Sequence, residues 1–125
     1  MQQNAATAYQ QVGRQTTNPR DLEANLLSKS ASNFQRLRDD WDNVPRADLA
    51  AALQFNRRLW TVFMTSVTRA DSSLPVELRQ NVANLGIFIM KHSLQLQLSP
   101  LPQKLDVLIN INRQLAAGLR AHAPE

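Results

Sequence analysis

The side chains best placed to do chemistry in this chain are amides. Asn56 shares a helical face with Leu49, Leu53, Trp60, Phe63 and Val67, which recur at steps of three and four. Asn112 falls in the stripe of Leu105, Leu108, Ile109, Leu115, Ala116 and Leu119. Asn81 or Asn84 lies on or beside the stripe of Leu78, Val82, Leu85, Ile89 and His92, which Phe88 widens. A buried amide left without partners costs about 1–3 kcal/mol. Two uses follow: a polar layer across three helices that fixes their register, or amides that hydrogen-bond an incoming backbone.

Catalytic chemistry has little to work with. His92 is on an apolar stripe and His122 is in the tail, with no second histidine or paired acid at metal-ligand spacing. There is no cysteine, no Gly-rich phosphate loop and no local signature of a Ser-His-Asp set. Glu23, Asp48, Glu77 and Asp106 all fall in first turns of expected helices, where they complement the helix dipole. The expectation is a protein that makes contacts: not an enzyme, with no catalytic residue, no metal ligand and no cofactor.

The elements that carry these residues are helices. Asp48–Val67 reads as a central helix, with Phe55 and Leu59 behind its main stripe and Arg57 and Arg58 between the two apolar patches. Before it, TTNPRDLEANLL carries a helix start: Asn18 as N-cap, Pro19 in the first position, Asp21 and Glu23 at the positive end. That helix continues through Leu22, Leu26, Ala31 or Ser30, Phe34, Leu37 and Trp41, and the acids Asp39, Asp40 and Asp42 end it. The segment 4–15 reads as a short helix whose one large anchor is Tyr9. Tyr9 either packs on the bundle or belongs to a detachable arm over a binding groove.

Pro45 opens the central helix, and TRADSSLP closes it with Ser72 or Ser73 as a capping candidate. Val76–Leu96 forms the next helix, and its Gly86 makes room for a neighbour, for which Trp60 is a candidate. Two prolines in 99–102 precede a last helix over Gln103–Leu119, which frays at Gly118 and the Pro124 tail. Short connections predict that successive helices pack antiparallel. The expected fold is all-α: one domain over 1–125, a small antiparallel bundle of four long helices plus a short N-terminal helix. Residues 1–15 are expected as a mobile arm and 121–125 as a frayed tail.

Composition bounds the partners. The net charge is +4 and the pI about 10.3, but the 14 basic residues are scattered, with Arg57–Arg58 the longest cluster. No aromatic-basic surface of the kind RNA modules use is visible. The N-terminus has no basic region followed by an apolar run, and LGIFIM is far too short to span a bilayer, so a cytoplasmic location is expected. Phe55, Leu59, Phe63, Met64, Phe88, Ile89 and Met90 exceed the needs of one narrow stripe. Either the bundle consumes them, or they line a groove between the central helix and the next for a partner's amphipathic helix.

Several stretches together resemble the FlaF family of flagellar biosynthesis regulators of alphaproteobacteria: AATAYQQV, NPRDLEA, LQFNRRLWTVF, LPVELRQNVANLGIF and KLDVLININRQLAAGL. They span nearly the whole chain in the family's order. LPVELRQNVANL with ININRQLAAGL is the most specific pair. IFIMK departs from the pattern, since Met90 stands where the family tends to carry a polar residue before the lysine. The resemblance implies a protein that promotes flagellin production, either as a flagellin-binding secretion chaperone or with the translational regulator FlbT. The chaperone reading suits the surplus of apolar side chains; an RNA-linked translational activator is the alternative. The residues carried over from matching motifs as contact candidates are Tyr9, Asn56, Arg57, Trp60, Asn81, Asn84, Phe88 and Asn112, with Arg57, Arg58 and Arg79 guiding acidic partners. The expected groove is centred on Trp60 and Phe88. Complete enclosure of Trp60 moves it elsewhere, toward the Tyr9 arm.

Overall fold

The computed structural model describes residues 19–69 and 71–121. Four long helices follow one another: α1 over Pro19–Asp39, α2 over Arg46–Val67, α3 over Val76–Leu98 and α4 over Gln103–Ala121. A single 3-10 turn, Trp41–Asn43, separates α1 from α2, and there is no strand among the described residues. The N-terminal segment, with Tyr9 and the Asn18 cap, lies outside them, as does the tail from His122.

Prolines set two of the starts. Pro45 (φ −63°, ψ 144°) and Pro75 (φ −55°, ψ 147°) stand extended just ahead of α2 and α3, with no side-chain cap at either. The Pro45 carbonyl accepts the Asp48 and Leu49 amides, and the Pro75 carbonyl accepts that of Arg79. The serine expected as a cap before Leu74-Pro75 does a different job. Ser72 Oγ accepts the Leu74 amide within the loop, at 3.3 Å. α2 thus begins two residues ahead of the Asp48 expected from the apolar pattern, because Arg46 and Ala47 are helical but exposed.

All four helices contribute to one buried apolar cluster. Its largest fully enclosed side chains include Trp60, Phe34 and Phe63. Trp60 and Phe63 meet edge to face, ring centroids 5.8 Å apart. The most extensive packing joins α1 to α4, elements at opposite ends of the described chain, while among consecutive helices α3 and α4 pack least despite their short connection. Arg38 near the end of α1 pairs with Asp106 near the start of α4, and Arg120 near the end of α4 reaches Asn25 and Ser28 near the start of α1.

Charge is also taken inside. Glu23 is fully buried and accepts from the Arg20 guanidinium, itself 7% exposed. Glu23 is therefore one half of an enclosed ion pair, in addition to any dipole role at the helix start.

Candidate functional site

Two of the amides at the centre of the sequence pattern, Asn56 and Asn112, join in a buried network. Trp60 Nε1 donates to Asn112 Oδ1 at 2.9 Å, and Asn112 Nδ2 donates to Asn56 Oδ1 at 2.8 Å. Ser30 Oγ donates to the same Asn56 oxygen, also at 2.8 Å. Each of these four side chains is at most 1% exposed. The layer ties α1, α2 and α4 at one height, and its geometry leaves the Asn56 Nδ2 group with no acceptor.

The third contribution thus comes from α1 through Ser30 and not from α3. Asn81 and Asn84 are exposed. The inward side of α3 carries Val82, Gly86, Ile89, Ser93 and Leu96 instead. The Ser93 hydroxyl is satisfied by the Ile89 carbonyl of its own helix, so α3 offers the layer nothing. Ser30 was already a candidate for the buried stripe, four residues from both Leu26 and Phe34, and a hydroxyl at such a place was the signal for its part in the layer.

Trp60 and Phe88 do not share a surface. Trp60 is 0% exposed, whereas Phe88 is 42% exposed on the flank of α3, stacked on His92 with centroids 5.3 Å apart. His92 Nε2 donates to the Lys104 carbonyl at 2.7 Å, which pins α3 to the first turn of α4. Arg57 is half-buried and donates to Gln97 on α3 at 3.2 Å. Arg79 donates to the Arg69 carbonyl, and Arg58 is exposed.

The outward side of α3 also carries a stripe of apolar residues. Val76, Ile87, Leu94 and Leu98 are 54–76% exposed and recur on the face opposite Val82, Ile89 and Leu96. Gln80, Asn84 and Lys91 are exposed beside that stripe, so the face is mixed and its apolar part is those four residues. Beside this face runs a groove of about 410 Å³ between α2 and α3, lined by Thr61, Met64, Thr65, Ile87, Met90 and Lys91, with Gly86 at its base. Gly86 does admit a neighbour, but the visitor is Met64 and not Trp60. A methyl group added at Gly86 would overlap the Met64 sulfur and stand 2.7 Å from its Cε. Trp60 is turned inward to Asn112 and cannot reach it.

A second hollow, between α1 and α2, has Lys29, Asn33, Arg36 and Asp48 among its lining. The Lys29 ammonium lies 5.9 Å over the Phe55 ring there. Its charge suits it less to an apolar helix face. No group of three or more His, Cys, Asp or Glu residues that could hold a metal occurs among the described residues.

A family model described as "Flagellar protein FlaF" matches residues 5–119. The chain belongs to the FlaF family. No curated protein and no solved structure gives a match. Membership makes this a flagellar protein, and its fold sorts the motif residues of the FlaF pattern by place. Asn56, Trp60 and Asn112 meet inside, Asn81, Asn84 and Phe88 lie on the surface of α3, Arg57 bridges α2 and α3, and Tyr9 lies outside the described residues. No helix among the described residues is long and apolar enough to cross a membrane.

Proposed function

We propose that this FlaF protein is a non-enzymatic flagellar biosynthesis regulator that works as a secretion chaperone for flagellin in the cytoplasm. It covers an amphipathic terminal segment of unsecreted flagellin along the outer face of α3 and the adjoining α2–α3 groove, and so promotes flagellin synthesis and export. The single observation that carries this reading is the exposed apolar face of α3 (Val76, Ile87, Leu94 and Leu98) beside a groove floored by methionine. Isolated terminal segments of flagellin would self-associate through their apolar faces, and an apolar helix laid against another removes that surface from water. Unbranched Met64 and Met90 let the groove fit a helix without a rigid template.

In this reading the motif residues have two jobs. Asn56, Trp60 and Asn112 hold the frame, while Asn81, Asn84 and Phe88 edge the contact surface. Arg57 and Arg58 steer acidic stretches of the partner toward it. Calorimetry of the purified chain with flagellin at micromolar concentration tests the proposal. Heat of binding at one to one supports it, and no binding overturns it. Flagellin truncated at either end then shows which segment is held.

A further inference from the structure

We infer that the segment held in the α2–α3 groove carries a carboxylate that pairs with Lys91, so that Lys91 selects acidic amphipathic helices over neutral or basic ones. That flagellin supplies this segment rests on the function proposed above.

The charges of the chain are divided by element. No Asp or Glu stands between 49 and 67 on α2 or between 78 and 98 on α3, whereas Arg57, Arg58, Arg79 and Lys91 all fall there. Two of those cations are engaged: Arg57 donates to Gln97, and Arg79 to the Arg69 carbonyl. Lys91 is exposed and has no carboxylate within salt-bridge distance among the described residues. The acid of its own helix, Glu77, is fourteen residues away, about 21 Å.

Lys91 is also the one charged residue in the lining of the groove, beside Thr61, Met64, Thr65, Ile87 and Met90. The two threonine hydroxyls donate to the Arg57 and Thr61 carbonyls of their own helix, at 2.9 Å each. An ammonium is therefore the free donor that a helix laid in the groove meets. A helix with only apolar side chains at that place strips water from the charge and returns nothing, a cost that a carboxylate opposite offsets. A lysine or arginine opposite adds repulsion. Lys91 stands four residues from Ile87 and three from Leu94, so the carboxylate belongs within a turn of the apolar residues that cover those two.

A long stem has another use, which is to lift its charge back into water past the partner. One substitution separates the two. Methionine keeps the length of lysine without the charge. If Lys91 bends away into water, Lys91→Met adds apolar contact and binding holds or tightens. If Lys91 pairs with a carboxylate, the same change loses affinity.

Calorimetric titration of flagellin into the parent chain and four variants reads the difference. Lys91→Met should bind at least about threefold more weakly, Lys91→Glu more weakly still, and Lys91→Arg within about twofold of the parent. Lys29→Met removes the same charge from the hollow between α1 and α2, and should leave affinity within about twofold. Urea unfolding midpoints equal to the parent's separate lost binding from lost folding. Lys91→Met that binds as tightly as the parent or more tightly overturns the inference and leaves the proposed function standing. An equal loss in Lys29→Met does the same. Flagellin that fails to bind the parent chain overturns both.

Discussion

Replacing Asn112 with leucine cuts the polar layer at its middle. Trp60 Nε1 now donates to Asn112 Oδ1 at 2.9 Å in a fully enclosed site. With leucine there, the indole N–H is buried with no acceptor, at a cost of about 1–3 kcal/mol. The Asn56 oxygen keeps the Ser30 hydroxyl, so no second group is orphaned on that side. Leucine is of similar size and returns part of the loss through its own burial. A net destabilisation of about 1–2 kcal/mol follows, or a melting temperature lower by roughly 4–8 °C for a chain of this length. Urea unfolding followed by far-ultraviolet circular dichroism measures it in a cycle of Asn112→Leu, Trp60→Phe and the double variant. Phenylalanine has no N–H to strand, so the double variant should recover about 1 kcal/mol relative to the sum of the singles. Asn112→Leu as stable as the parent, or single effects that add within about 0.5 kcal/mol, would refute the reasoning.

Arg20→Met leaves the enclosed Glu23 without that cation and should cost about 3 kcal/mol in urea unfolding; Arg20→Met with Glu23→Leu should recover most of it. Asp106→Asn breaks an ion pair whose side chains are 35% and 51% exposed, so its effect on the unfolding midpoint should stay under about 1 kcal/mol. Gly86→Leu drives a side chain into the seat of Met64 and should lose about 1–3 kcal/mol. Adding Met64→Ala to that variant should restore most of the loss, which thermal melts of the two chains would show.

Periodicity made the helices legible. Leu49, Leu53, Asn56, Trp60, Phe63 and Val67 were readable as one face because a buried face imposes a 3.6-residue spacing, and all six are buried. Pro45 was readable as a start because proline fits only the edge of a helix, and the same signal at Pro75 was passed over for the serines before it. The wiring of the polar layer was not. Trp60 and Asn112 are 52 residues apart, and Ser30 and Asn56 are 26 apart. Spacing reports which face a residue occupies but not which helix lies across from it. Glu23 was legible as a first-turn acid, yet its burial with Arg20 depends on tertiary packing. The α3 face shows a different limit. Its pattern pointed the stripe of Val82 and Ile89 inward, as they are, but a second apolar set lies opposite among Gln80, Asn84 and Lys91, so the sequence could signal a surplus of apolar surface without saying which part stayed exposed. That surplus left two outcomes open, a bundle that consumes it or a groove between α2 and α3, and a groove centred on Trp60 is not compatible with a side chain turned inward to Asn112.

The most direct test is calorimetric titration of flagellin into the parent chain and into Leu94→Asp. Leu94 is 57% exposed, so the substitution alters the outer face of α3 and leaves the core and the unfolding midpoint as they were. Tenfold or greater weakening, about 1.4 kcal/mol of binding free energy, is the predicted result. Equal affinity for the two chains would contradict the claim that flagellin lies along α3.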